Sequence, residues 1–316
     1  MDVSIIIVNW NTRDFIHDCL KSIYEETKDV EFEVIVIDNA STDGSAKMIK
    51  TDFPQVRLLE NRVNNGFAAA NNQGMAIAKG RYFLLLNPDT IILDNAISKI
   101  FTFANKHPEA AIVGCRTLDQ GRTLLRNCFR YPSLLNIFLN LTFLDQLFPK
   151  NKFFGRKRMA WWQYDDVREV EVVAGCFMFT RKKAVDEVGM MDERFFMYAE
   201  EADWCYRFNN AGWKILFTPI AEIMHYQKKS SEQIRLKAKL QLSKSQLLFI
   251  KKHNMKLKYI LACFIMGLFF ASRLPYWVIR SISPVNRKEA LLQAKTCLMG
   301  LIGALTGGGK IMSMKK

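Results

Sequence analysis

The chain has 316 residues, 49% of them hydrophobic, enough to bury a large α/β core and carry an appendage. Its net charge of +14 is not spread evenly: residues 228–316 hold 18 Lys and Arg against 2 acids, residues 1–227 hold 27 against 29. The globular part therefore needs no polyanion such as nucleic acid as partner, and seven cysteines without a Cys-x-x-Cys exclude the usual zinc spacing and fit a reducing compartment.

Met1 and Asp2 lead straight into an apolar stretch with no basic flank and no small-residue cleavage site, so the N-terminus reads as a first strand rather than a signal peptide. Apolar runs at 5–8, 34–37, 57–59 and 82–86 alternate with helical patterns at 14–24, 45–50 and 67–79. Short continuous apolar strands between amphipathic helices predict a parallel sheet buried on both faces, a Rossmann-like array over about residues 1–110. Ligands of such sheets gather at the carboxyl ends of the strands, where polar clusters fall at 9–11, 38–43, 61–66 and 87–89. Singly, Asn-Pro-Asp is a turn and the 38–43 stretch a loop with a helix cap; four in succession line one edge. The sequence has no Gly-x-Gly-x-x-Gly or Walker loop, which makes a divalent cation the candidate for holding phosphates.

Residues 116–168 are rich in aromatic and basic side chains: FRYP at 129–132, FFGRKR at 153–158, Trp161 and Trp162. They read either as core aromatics with solvated cations or as a mobile acceptor loop for an amphiphile bearing phosphate. After a strand-like run at 170–180, Glu200 opens a helix ending near Gly212, with Trp204 and Phe208 inward and Asp203 paired to Arg207. Glu200, Glu201 and Asp203 crowd its first turn, where acids also complement the helix dipole. In the tail, the apolar run 259–272 is stopped by Arg273 and Pro275 and resumes at 276–279; a second run, 297–305, ends in Gly307, Gly308 and Gly309. A spanning helix wants about 20 apolar residues. Interrupted apolar faces with Trp, Tyr and many cations predict helices lying in the headgroup plane of an anionic membrane, peripheral rather than spanning.

The ordered set SIIIVNWN (4–11), DNASTDGS (38–45), NNGFAAANN (64–72), LNPDT (86–90), VAG (173–175), DERFFMYAEEADWCYR (192–207) and MHY (224–226) resembles the inverting nucleotide-sugar glycosyltransferase family 2, within its rhamnosyltransferase-like branch. The resemblance covers about residues 3–227 and implies the GT-A fold, a mixed, mostly parallel sheet with helices on both faces. It implies a nucleotide-binding half at 1–110, an acceptor half at 111–227 and a basic helical tail at 228–316. The implied activity is transfer of a sugar from a nucleotide diphosphate donor, by branch rhamnose from deoxythymidine diphosphate, to a lipid-linked glycan acceptor. That step belongs to cell-surface polysaccharide biosynthesis and works at the cytoplasmic face of the membrane with Mg²⁺ or Mn²⁺.

Residue by residue, the resemblance puts Val8, Asn9 and Asp38 at the nucleoside, and Gly66 and Asn71 beside the nucleotide. It sets Asn87 and Asp89 at the metal motif, with Asn87 replacing the first acid, and brings His225 to the metal or diphosphate. Glu201 stands where the family has its catalytic base, the second acid of a pair that is Glu200 and Glu201 here. Glu200 and Asp203, with Trp161 and Trp162, are the further acceptor-side candidates. Relatives often carry two glycines after the histidine, where this chain has Gln227, Lys228 and Lys229; the Gln-x-x-Arg-Trp of processive synthases is absent, which implies addition of one or a few sugars. A retaining double displacement would instead set a carboxylate nucleophile under the sugar. A nucleotidyltransferase on this fold would carry a glycine-rich loop where residues 4–11 have no glycine, and a non-catalytic membrane adaptor would leave Asp38, Asp89 and Glu201 without a purpose.

Overall fold

The computed structural model describes residues 1–226, 232–283 and 287–307. Gln227, Lys228, Lys229, Gly308 and Gly309 lie outside the described residues. In chain order the first half contains β1 (Val3–Asn9), α1 (Arg13–Glu26), β2 (Phe32–Asp38), α2 (Ser45–Asp52), β3 (Arg57–Glu60), α3 (Phe67–Ile77), β4 (Tyr82–Leu86), β5 (Thr90–Ile92), α4 (Ala96–Lys106) and β6 (Ala110–Leu118). Then come β7 (Leu124–Leu125), β8 (Cys128–Phe129), α5 (Leu134–Leu141), α6 (Leu144–Leu147), β9 (Arg168–Glu169), β10 (Val172–Val173), β11 (Phe177–Arg181), α7 (Lys182–Val188), α8 (Glu200–Asn210) and β12 (Lys214–His225). The tail forms α9 (Glu232–His253), α10 (Lys256–Arg280) and α11 (Arg287–Leu305).

By internal contacts the chain divides into two units. The first comprises Met1–Tyr131, Arg158–Arg194 and Glu201–Lys228; the second comprises Pro132–Lys157, Phe195–Glu200 and Lys229–Lys316. Two stretches of residues 111–227 thus group with the tail.

The first unit is a mixed sheet of order β3-β2-β1-β4-β11-β6-β12-β5, with β7 beside β6 and β9 beside β12. Strands β3, β2, β1 and β4 run parallel, as the βα alternation predicts; β11 is antiparallel to β4 and β6. Side chains alternate between the faces of a strand. Ile5, Ile7, Val34 and Val36 accordingly join Ile16, Leu20, Ile49 and Ile100 of α1, α2 and α4, while Ile35 and Ile37 meet Ala70 of α3 on the other face. The strand-like run at 170–180 is two strands, β10 and β11, split around Gly175.

β12 pairs with β6 in parallel, slips register between Thr218 and Glu222, and then pairs antiparallel with β5, His225 opposite Thr90. Pro219, which has no N–H to give a ladder, falls inside that irregularity. The slip therefore delivers the end of β12 to the loop after β4, the kind of re-aiming bulges perform near sites.

In the second unit α10 packs against α11, α9 and α5. The apolar run does not stop at Arg273 and Pro275: α10 is one helix of 25 residues with Pro275 inside it. Arg273 is accommodated because its guanidinium turns back over the Phe269 and Phe143 rings, 3.9 and 4.3 Å from their centroids, and donates to the Phe269 and Asn140 carbonyls. α11 presents a small-residue stripe, Ala290, Ala294, Gly300, Gly303 and Ala304, to its buried side. A Cβ on Gly300 would come within 2.5 Å of the Phe270 ring, so glycine there is what permits the close approach of α10. Among the described residues α10 is the one helix long and apolar enough, by length and composition, to cross a membrane. Less than a third of its most apolar stretch is buried in the protein, and Leu257, Phe264 and Leu268 stand on its outer face.

Candidate active site

Parallel register sets Asn9 of β1 beside Asp38 of β2, and the Asn9 amide donates to the Asp38 carboxylate at 2.7 Å and to Ser41 Oγ at 3.0 Å. The other Asp38 oxygen accepts from the Ser41 amide, and Thr12 Oγ1 donates to Asn9 Oδ1. Both side chains are buried, so this is a braced pair whose carboxylate keeps spare lone pairs at the strand edge. Val8, one residue earlier, packs with Ile35 and Ile37.

Asn39, which sequence reasoning passed over, ties the neighbouring loop together. It donates to Asn64 Oδ1 and the Gly66 carbonyl and accepts from the Asn61 side chain and the Asn65 amide. Gly66 sits at φ +86° at the start of α3, a conformation costly to any residue with a Cβ. Asn71 turns inward and donates to the Phe67 carbonyl of its own helix, so its side chain faces α3 rather than the strand edge. Asn72 is the reaching residue: its amide donates to the Met191 carbonyl and Glu193 at 2.9 Å and accepts from the Met191 N–H at 3.0 Å. A polar residue on the buried face of α3, at helical spacing from Ala68 and Met75, was the signal in the sequence.

After β4, Asn87, Asp89 and His225 converge. His225 Nε2 lies 3.0 Å from Asp89 Oδ1 and 3.4 Å from Asn87 Nδ2, while the Tyr226 amide donates to the Asp89 carbonyl. His225 and Asp89 are mostly buried, 15% and 16% exposed, so a small ligand approaching them would be partly desolvated. Among the described residues no group of three or more His, Cys, Asp and Glu converges into an all-protein cation cage. One carboxylate, one imidazole and a nearby amide fit a cation whose other ligands are substrate phosphates and water, the way Mg²⁺ is commonly held. Cys19 and Cys176 lie close enough to feel the Asp89 charge, and burial pushes both thiols up to about 12. They stay protonated at neutral pH and are not nucleophiles.

The acids of α8 are not equivalent. Asp203 is fully buried and paired to Arg207 Nε at 3.0 Å; the same guanidinium donates to the Val188 and Met190 carbonyls, and the Trp204 indole donates to Gly189. Asp203 is thus fastened into a brace for the loop before α8. Glu200 is buried and Glu201 half-buried, and one carboxylate oxygen of each, Oε2, is shielded from solvent. Burial also raises the Cys205 thiol to about 12, with the Glu201 charge adding to it.

Of the two adjacent tryptophans, Trp162 is a core residue, stacked on Tyr164 at 4.1 Å, edge-on to Phe217 and bonded to Asp166. A fully packed indole cannot meet an acceptor, so only Trp161, with Arg168 over its ring at 5.2 Å, keeps accessible surface. Residues 116–168 are not a structureless loop; they include β7, β8, α5 and α6.

The ends of consecutive strands in this mixed α/β sheet bear an Asn–Asp brace and an Asn-Pro-Asp turn with a histidine, the edge at which α/β enzymes place their ligands. The family model "Glycosyl transferase family 2" matches residues 4–189, and the chain belongs to that family of glycosyltransferases. Among its relatives is the N-acetylglucosaminyl-diphospho-decaprenol L-rhamnosyltransferase of Mycobacterium tuberculosis, 28% identical over 63% of this chain and 67% of that protein. Another is the rhamnosyltransferase WbbL of Escherichia coli K12, 25% identical over 71% of this chain and 83% of its own. The fold is shared with a mannosyltransferase of Pyrobaculum calidifontis solved with GDP-Man and Mn²⁺, at a TM-score of 0.57 and 15% identity over 97% of this chain and 86% of that one.

Proposed function

We propose that this glycosyltransferase moves a sugar, rhamnose by its relatives, from a nucleotide diphosphate donor onto a lipid-linked glycan acceptor with inversion, at the cytoplasmic face of a membrane. The observation that carries the reading is the convergence of Asn87, Asp89 and His225 at the end of β4, with no glycine-rich phosphate loop in the sequence to do their work. Asn9 and Asp38 would receive the nucleoside, and Gly66 would let the chain pass beside the nucleotide. Asp89 and His225 would hold Mg²⁺ or Mn²⁺, which supplies Lewis-acid stabilisation of charge on the departing diphosphate.

Glu201 acts as general base. The acceptor hydroxyl gives its proton to the Glu201 carboxylate as its oxygen attacks C1; the bond from C1 to the diphosphate oxygen breaks, and the nucleoside diphosphate leaves with the electron pair. Attack from the face opposite the leaving group inverts C1. The apolar outer face of α10, with the cations of the tail, would hold the enzyme peripherally on an anionic membrane where a lipid-linked acceptor resides. Thermal shift with a set of nucleotide sugars, with and without Mn²⁺, tests the donor half. A ligand at 100 times its Kd stabilises by about 2.7 kcal/mol, so a sugar nucleotide that raises Tm only with the ion supports the reading. No metal-dependent shift with any sugar nucleotide contradicts it.

A further inference from the structure

Residues 132–157, all within the second unit, belong to the aromatic and basic stretch that the transfer chemistry leaves unused. Phe138, Phe143, Leu147, Phe148 and Phe153 are exposed there, five large apolar side chains in one short segment. Single exposed apolar residues are ordinary, but a group of them rimmed by polar ones marks a contact surface. The same residues hold four Lys and Arg against one acid, Asp145, and Lys150 and Lys152, next to Phe148 and Phe153 in the chain, are exposed.

The tip of this segment is a closed turn. The Asn151 side chain accepts from the Phe153 and Phe154 amides at 2.8 and 3.1 Å; the Asn151 amide donates to the Phe148 carbonyl and the Gly155 amide to the Asn151 carbonyl. A Cβ on Gly155 would meet the Pro149 carbonyl oxygen at 1.8 Å, so glycine is what lets the chain close there. The Phe154 ring packs against those of Phe148 and Phe153, with centroids 5.5 and 5.3 Å apart. The turn thus holds Phe148 and Phe153 at the surface while the amides of residues 151 and 153–155 are bonded internally. Bonded amides lower the cost of carrying backbone into a lipid interface, where an unsatisfied N–H is expensive. At the other end of the segment Arg273 of α10 stacks on Phe143 and donates to the Asn140 carbonyl, which fastens α5 to α10.

We infer that Leu147, Phe148 and Phe153, flanked by Lys150 and Lys152, form a wedge that enters the headgroup layer of an anionic membrane, a second contact besides the outer face of α10. The occupant is a bilayer because the tip offers apolar rings to the acyl boundary and ammonium groups to the phosphates above it. This rests on the peripheral-membrane part of the proposed function and is independent of the sugar and the ion.

The test uses the full chain with vesicles of phosphatidylglycerol and phosphatidylcholine in equal parts. Flotation is measured for the parent, Phe148→Asp, Phe153→Asp, Phe148→Leu and Phe264→Asp, and hydrogen–deuterium exchange of the parent is followed with and without vesicles. Phe148→Asp and Phe153→Asp should each float about tenfold more weakly, with Phe148→Leu close to the parent. Lys150→Gln and Lys152→Gln should each weaken binding about fivefold. Vesicles should slow exchange across residues 146–154 of the parent, a readout that needs no variant to fold. Parent-like flotation of both aspartate variants, or exchange at 146–154 that vesicles leave unchanged, overturns the wedge. If Phe264→Asp alone loses flotation, the membrane reading stands and the wedge falls; if the parent does not float, both fall. A dimer seen by light scattering that the aspartate variants lose, with flotation as in the parent, gives the surface to a second copy and also overturns the wedge.

Discussion

The strand edge around Asn9, Asp38 and Asn39 and the approach to α8 both have to fix polar groups in place, and they do so by opposite means. At the strand edge the partners come from the ends of adjacent parallel strands: Asn9 lies beside Asp38 by register, and Asn39 binds the loop that follows β3. In the loop at 189–193 that precedes α8 the partners come from outside the loop, Asn72 on α3 and Arg207 on α8. A site fixed by register is as rigid as its sheet, whereas one fixed by remote side chains is adjustable and vulnerable at positions that touch no substrate.

The largest way to break this contrast is Glu201→Gln. The amide keeps the shape but takes no proton, so transfer should fall by about 10² to 10⁴ with donor Kd unchanged. Glu200→Gln, measured beside it, should keep most of the rate; a collapse there instead would move the base to Glu200. Next is Asp203→Asn, which leaves Arg207 without its counter-charge. Its cost is about 2 kcal/mol, the scale of a hydrogen bond between charged groups, readable as a fall in the urea midpoint. No loss would show that the Arg207 brace does not hold the approach to α8.

Phe264→Asp, at a side chain 63% exposed on the outside of α10, should leave both regions intact yet weaken flotation with anionic vesicles about tenfold, roughly the lower end of burying a large apolar side chain. Unchanged flotation would remove that face of α10 from the membrane contact. The last change is Gly66→Ala, which puts a Cβ at φ +86° and ψ 176°, a region essentially reserved for glycine, at about 1–3 kcal/mol. Its destabilisation should appear as faster hydrogen–deuterium exchange in the loop held by Asn39 and leave exchange at residues 189–193 as in the parent.

The same contrast explains what could be read in the sequence. Strand runs, the βα order and the polar strand ends follow from local periodicity and turn chemistry, and with them Asn9, Asp38 and Asp89 fall at the edge where β1, β2 and β4 end. His225 came from the resemblance; its meeting with Asp89 depends on the register slip in β12, which the sequence hints at only through Pro219. Trp162 reads as a binding aromatic in the sequence because its packing against Phe217 of β12 is a long-range fact. Arg273 reads as an interruption of the apolar run because part of what accommodates it, the Asn140 carbonyl of α5 and the Phe143 ring, lies far off in the sequence. Asn72 is invisible as a bracing residue for the same reason: a polar residue on an apolar face signals a partner but does not name it.

The central claim is that the strand-end cluster binds a donor diphosphate through a divalent ion. Calorimetric titration of deoxythymidine diphosphate rhamnose into the parent and Asp89→Ala, each with and without Mn²⁺, tests it most directly. The account predicts tight, Mn²⁺-dependent binding by the parent and loss of that dependence, with affinity reduced at least tenfold, in Asp89→Ala. Binding in Asp89→Ala that is as tight and as Mn²⁺-dependent as in the parent would contradict it.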